Sequence, residues 1–162
     1  MFFTITTLGS NPFSLQIDPT TFSAFSDCLK FIKEQTLAHS TERSSLEYCV
    51  TDWEGIPAKL IENGAGDSLW TYIDALENSF NSDVVKSAVM SDINLSMINE
   101  AYVGMFRDHE ELGIMLASER LNFDEVDDDF ELYFDFEKYG RSIFINEMRQ
   151  NNGHYFLSMY SI

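Results

Sequence analysis

Phe3-Thr4-Ile5-Thr6-Thr7-Leu8-Gly9-Ser10-Asn11-Pro12-Phe13-Ser14-Leu15-Gln16-Ile17-Asp18-Pro19 is the stretch on which the fold class turns. Phe3, Ile5 and Thr7 alternate with Thr4 and Thr6, Gly9-Ser10-Asn11-Pro12 breaks the run, and Leu15-Gln16-Ile17 resumes it. Alternation at period two around a Gly/Pro break predicts two short strands joined by a turn. Asp18-Pro19 then reads as a helix start, an acceptor side chain followed by proline at the first helical position. Phe22, Phe25, Cys28/Leu29 and Ile32 follow at helical spacing, with Lys30, Lys33 and Glu34 off that face. Leu46, Tyr48 and Val50 alternate with Glu47 and Cys49 as a further strand. The order β-β-α-β puts one helix on an antiparallel sheet and predicts the α+β class.

Downstream the period changes. Asp67 caps a helix whose Leu69, Tyr72/Ile73, Leu76 and Phe80 form one stripe, and Ser82 starts a second through Val84, Val85, Ala88 and Val89. Ala101 to Phe106 is strand-like, and Asp108-His109-Glu110-Glu111 has capping-box spacing before Leu112, Met115 and Leu116. Asp124-Glu125-Val126-Asp127-Asp128-Asp129 precedes Phe130, Tyr133, Phe134 and Tyr139, read as another helical stripe whose N-terminus favours carboxylates. Ile143–Ile145 and Tyr155–Tyr160 flank Asn151-Asn152-Gly153, a hairpin turn signal. Three small parts are expected: an N-terminal sheet with a helix over 1–62, a central short-helix cluster over 63–99, and a C-terminal antiparallel sheet with helices over 100–162.

Composition bounds the function. The 162 residues carry 27 Asp+Glu against 10 Lys+Arg, a formal net charge of -17. The excess grows along the chain: net -4 over 1–62, -5 over 63–100 and -8 over 101–162. Folding gains nothing from such an imbalance, since like charges on a compact surface repel. Hydrophobic content of 44% and aromatic content of 14% exclude an acidic disordered chain. The two cysteines, Cys28 and Cys49, are read as buried free thiols, which suits a reducing cytoplasm. No basic leader and no apolar run of membrane-spanning length occurs, so the expectation is a soluble, cytoplasmic protein.

Enzymatic readings fail on spacing, and no cofactor is expected. His39, His109 and His154 are far apart, without ligand spacing, and are read as surface or loop residues. Asn63-Gly64-Ala65-Gly66-Asp67 lacks the lysine of a phosphate-binding loop. The acids from Asp124 to Glu131 are adjacent rather than alternating, with no glycine for a calcium-loop turn. With 27 carboxylates, acid pairs arise by chance and carry no catalytic weight. Direct nucleic-acid binding fails on sign. A protein of this charge can instead compete with DNA: 17 charges match roughly 29 Å of duplex, about 9 base pairs. A solvated acidic surface kept for solubility or salt tolerance is the competing reading of composition alone.

Tyr133-Phe134-Asp135-Phe136-Glu137-Lys138-Tyr139-Gly140-Arg141-Ser142-Ile143-Phe144-Ile145-Asn146 adds a family signal. It resembles a stretch of the ArdA antirestriction proteins, with Ser142 where that family often has Asp. Val50-Thr51-Asp52-Trp53-Glu54-Gly55-Ile56-Pro57 and Glu100-Ala101-Tyr102-Val103-Gly104-Met105-Phe106 resemble two further stretches, in the family's order. Thr7–Gln16 is short beside the family's opening loop. The resemblance implies an elongated homodimer of three small domains per chain. It also implies a line of carboxylates that imitates bent DNA and fills the DNA-binding groove of type I restriction-modification enzymes.

Asp108, Glu110, Glu111, Asp124, Glu125, Asp127, Asp128, Asp129, Glu131 and Glu137 are the candidates to stand in for phosphates. The resemblance places the dimer contact over Leu121 to Tyr139, with Phe130, Tyr133, Phe134, Phe136, Tyr139 and Arg141 as its candidates. These aromatics are also readable as core, with Phe130, Phe134 and Tyr139 at helical spacing fitting either reading equally, and Arg141 reads first as the partner of a nearby carboxylate. An acidic adaptor binding some other basic protein is the alternative function.

Overall fold

A computed structural model describes residues 1–8, 12–39, 47–62, 64–78, 81–121 and 133–162. The fold is α+β, with two small antiparallel sheets. By backbone proximity the chain divides into two compact units, Met1–Asn81 and Ser82–Ile162.

In the first unit β1 (Phe2–Thr7) lies between β2 (Ser14–Ile17) and β3 (Tyr48–Glu54), antiparallel to both. Phe3 faces Ile17 and Trp53 in register, and a bulge between Thr4 and Ile5 lets Ile5 face Val50. The alternation has its expected consequence: Phe3, Ile5 and Thr7 are buried while Phe2, Thr4 and Thr6 are half-buried. Helix α1 (Phe25–His39) buries Cys28 and Ile32, one turn apart. Helix α2 (Asp67–Asn78) buries Leu69, Trp70, Tyr72, Ile73 and Ala75, with Asp67 as its first residue rather than the residue before it. Leu46 and Phe80, read into a strand and a helix stripe, and the turn at Gly9 to Asn11 lie outside the described residues.

Two expectations in this unit are corrected. Asp18-Pro19 does not open the helix. The Asp18 carboxylate accepts from Thr20 N at 3.0 Å and Thr20 Oγ1 at 2.7 Å, but the turn it caps ends at Thr21. Thr21 Oγ1 donates to Asp18 O, and such local hydroxyl bonds compete with helix propagation. Phe22 then returns to extended backbone, and its carbonyl accepts from the Trp70 indole at 3.0 Å instead of from a helical N–H. Cys49, read as buried, is exposed, because β3 is an edge strand and alternate residues face outward.

The second unit holds α3 (Ser82–Met90), the single turn α4 (Ile98–Ala101) leading into β4 (Tyr102–Met105), and α5 (His109–Arg120). Helix α6 (Phe136–Glu147) and the hairpin β5 (Met148–Asn151) and β6 (His154–Leu157) follow among the described residues, with sheet order β4-β6-β5. Asn151 faces His154, and the two turn residues have positive φ, 50° at Asn152 and 80° at Gly153. That is the backbone an Asn-Gly hairpin requires.

Ile143–Ile145, expected beside the hairpin as a strand, belongs to α6. A strand would turn Ile143 and Ile145 to one face, yet Ile143 is 8% exposed and Ile145 70%. The stripe read through Tyr133, Phe134 and Tyr139 is interrupted at Asp135, which caps α6 by accepting from Lys138 N at 2.9 Å; Phe130 and the acidic run lie outside the described residues. His154, read as a surface residue, is buried, with Nδ1 3.1 Å from the Tyr102 hydroxyl.

Helices α5 and α6 lie side by side and run in the same direction. Gly113 faces Phe136 and Gly140, and seven residues further along each helix Arg120 meets Glu147 at 3.1 Å. A methyl group at Gly113 would fall on the Phe136 carbonyl oxygen, and one at Gly140 on that of His109. The pair therefore touches backbone to backbone, and both N-termini emerge at the same end. Leu112, Leu116, Ile143, Met148 and Tyr155 form the core beneath it.

Candidate functional site

The described carboxylates are a surface population. Among the described residues no Asp or Glu is buried, and only Asp92 and Glu111 are even half-buried. The first unit contains 11 acids and 4 bases, the second 16 and 6. Charge is thus in excess in both units and larger in the second.

The shared N-terminal end of α5 and α6 gathers several of these acids for local reasons. Asp108 caps α5, accepting from Glu111 N at 2.9 Å. Glu111 Oε2 accepts from Arg107 N at 2.8 Å and Nε at 3.3 Å. The Arg107 amide, more than its guanidinium, holds the Glu111 carboxyl below its usual range. Asp135 caps α6, and Glu137 pairs with Arg141 at 3.6 Å across one exposed turn. Glu110 makes no hydrogen bond or ion pair among the described residues.

Between this helix end and the β5–β6 hairpin opens a cavity of about 580 Å³. Asp108, Glu110 and Glu137 line it with Arg107 and Arg141, over His109, Phe144 and Tyr155. The rings are packed: His109 to Phe144 at 4.9 Å, and Phe144 edge-on to Tyr155 at 5.7 Å. Tyr155 is 4% exposed, and burial, then the Asp108 charge, pushes its hydroxyl above the usual phenol range. His109 is therefore half-buried in a ring cluster rather than a free surface residue.

Of the ten acids expected to imitate phosphates, Asp108, Glu110, Glu111 and Glu137 are brought together here. Asp124, Glu125, Asp127, Asp128, Asp129 and Glu131 lie outside the described residues, as does Phe130. Of the aromatics expected at a dimer contact, Tyr133 is 84% exposed, whereas Phe134 packs edge-on to Phe136 at 4.9 Å and Tyr139 at 5.3 Å. Arg141 is engaged with Glu137.

Sequence reading missed Asp135, Gly113, Gly140, Phe144 and Tyr155. Asp135 three residues before Lys138 carries a cap signal of its own; the glycine pairing depends on tertiary contact and leaves no local mark. Among the described residues no three His, Cys, Asp or Glu side chains are grouped to hold a metal ion, and no helix is long and apolar enough to cross a membrane.

The family model described as antirestriction protein (ArdA) matches residues 15–156. This carries the likeness upstream of Val50 into β2, so the match covers most of both units and leaves β1 outside it. No curated protein and no solved structure matches the chain.

Proposed function

We propose, for a chain that belongs to the ArdA antirestriction protein family, that its carboxylates stand in for duplex phosphates in the DNA-binding groove of a type I restriction-modification enzyme. Antirestriction is the function that membership implies. The observation supporting a mimic is the surface placement of the acids: among the described residues none is buried, in a chain of net charge -17. A groove lined with Lys and Arg meets such a surface as it meets DNA. No bond chemistry is required, and incoming mobile DNA is protected by occupancy of the enzyme in the cytoplasm.

The chain acts as a homodimer, with the contact over Leu121 to Tyr139, where Tyr133 stands out from the surface. A two-fold pairing doubles the length of the phosphate imitation. The acids differ in what they reveal. Asp108 is a helix cap, so its removal tests the fold as much as binding; Glu110 and the run from Asp124 to Glu131 test binding.

The experiment is a gel-shift competition between this protein and DNA for a type I methyltransferase. Displacement of DNA at about one dimer per enzyme is expected. No displacement, or equal displacement at low and high salt, overturns the mimic reading. Binding to other basic proteins without displacement would favour an adaptor.

A further inference from the structure

We propose that the cavity at the N-terminal end of α5 and α6 takes the side chain of an arginine presented by the protein partner, as a discrete anchor within the charged surface. The proposal rests on the reading that the partner is a basic, DNA-binding protein.

An acidic cleft alone would not carry this. The independent observation is Tyr155, a residue 96% removed from solvent by its 4% exposure. Its ring is fixed edge-on by Phe106 at 5.6 Å and Phe144 at 5.7 Å. Its hydroxyl makes no hydrogen bond among the described residues, and it is not one of the fully enclosed orphan atoms, which are those of Tyr72 and Ser91. Tyr155 lines the cavity, and its hydroxyl lies within reach of the charge of Asp108, another lining residue. Neither enclosed nor hydrogen-bonded among the described residues, the hydroxyl of this otherwise buried residue keeps its hydrogen-bonding capacity open to a ligand.

Charge decides the sign of that ligand. Three carboxylates line the cavity against two guanidinium groups, and both arginines are already engaged, Arg107 with Glu111 and Arg141 with Glu137. Glu110 is not engaged, so a cation entering the cavity gains a carboxylate that nothing else neutralises.

Shape favours guanidinium over ammonium. Phe144 and His109 offer ring surface, on which a planar, weakly hydrated guanidinium stacks better than a compact ammonium. A planar fork can give one N–H to the Tyr155 hydroxyl and another to Glu110 without leaving the rings.

The test titrates the full chain with Nα-acetyl-arginine N-methylamide and follows amide and aromatic NMR shifts. The lysine counterpart and inorganic phosphate are run at matched ionic strength. Saturable shifts confined to the cavity are expected, with the arginine probe binding more tightly than lysine. Tyr155→Phe keeps the ring and should weaken the arginine probe about fivefold. Glu110→Gln, on an exposed side chain, should weaken it without touching the core.

Shifts spread over all acidic surfaces without saturation, binding of phosphate in preference to arginine, or unchanged affinity in Tyr155→Phe would overturn the proposal. DNA competition for the methyltransferase is run alongside. Competition absent while the arginine probe still fills the cavity sinks the mimic reading and leaves the anchor. Competition intact with diffuse shifts sinks the anchor alone.

Discussion

Replacing Gly113 or Gly140 by alanine tests whether the acidic helix end is built by backbone contact. A Cβ at Gly113 would fall on the Phe136 carbonyl oxygen, 2.8 Å from its carbon and 3.1 Å from Gly140 N. None of these atoms can turn aside as a side chain can, so the helices must separate by about 1 Å or more to restore van der Waals distance. Overpacking of this kind costs about 1–3 kcal/mol, and a clash between backbones belongs at the upper end. Alanine returns about 1 kcal/mol of helix propensity. The net loss is about 2 kcal/mol, or roughly 8–16 °C in melting temperature for a unit of this size. Both tryptophans, Trp53 and Trp70, lie in the first unit, so tryptophan fluorescence follows that unit while the circular dichroism of the helices follows both. The loss should appear in circular dichroism and tyrosine signals. Gly66→Ala is the control, since nothing lies within 4 Å of its added methyl. If Gly113→Ala and Gly140→Ala both melt with the wild type, the close parallel packing of α5 and α6 is wrong.

Asp135→Ala should cost about 1 kcal/mol through loss of the α6 cap. Glu110→Ala should change stability by less than about 0.5 kcal/mol; equal urea midpoints for the two variants would refute that division of labour. Tyr72→Phe removes a hydroxyl that is enclosed without a partner and should leave stability unchanged or raise it by up to about 1 kcal/mol. A loss in that variant would reveal a bonded hydroxyl. One thiol, Cys49, should react with a thiol reagent in the native chain and two after denaturation; equal native rates would refute the burial of Cys28. Burial pushes the Cys28 thiol from 9.0 up to about 11, so the unfolded chain ionises first. Its contribution is intact below pH 9.0 and lost between 9.0 and about 11, a decline that Cys28→Ala should lessen in alkaline melts. An undiminished decline in that variant would assign it elsewhere.

Local signals in the sequence carried the elements whose partners are close in the chain. Alternation at Phe3, Ile5 and Thr7 placed β1 and its buried face, and Asn152-Gly153 placed the hairpin. The Asp108 cap placed the start of α5. Errors came where a local signal met a distant partner. Asp18 reads as opening the helix but caps only a short turn, which gives way to extended backbone at Phe22, whose carbonyl goes to Trp70, far along the chain. Ile143 and Ile145 suit a strand by composition, and α6 claims them through Asp135 and the burial of Ile143 alone. The candidate site was legible as a set of acids around Glu110. Its floor was not, because Phe144 and Tyr155 come from different elements and meet only after α5 and α6 pack.

The parallel pairing of α5 and α6 also bears on how a chain of this charge folds at all. Each helix N-terminus carries unfilled N–H groups and about half a positive charge, and two such ends side by side repel. Asp108 and Asp135 cap them, and Glu110, Glu111 and Glu137 lie in the first turns. Each carboxylate so placed is worth about 0.3–1 kcal/mol to its helix, which offsets part of the repulsion among the acids themselves. Negative charge is therefore cheapest to concentrate where two N-termini meet. A surface that imitates phosphates needs such places, since elsewhere each added acid only adds to self-repulsion. It follows that neutralising the first-turn acids of one helix should weaken that helix in low salt and have less effect in high salt. Neutralising exposed acids away from helix starts, such as Glu119, should stabilise the fold slightly. Urea midpoints of Glu137→Gln and Glu119→Gln at two salt concentrations give the comparison. Shifts of the same sign in both variants at low salt would refute it.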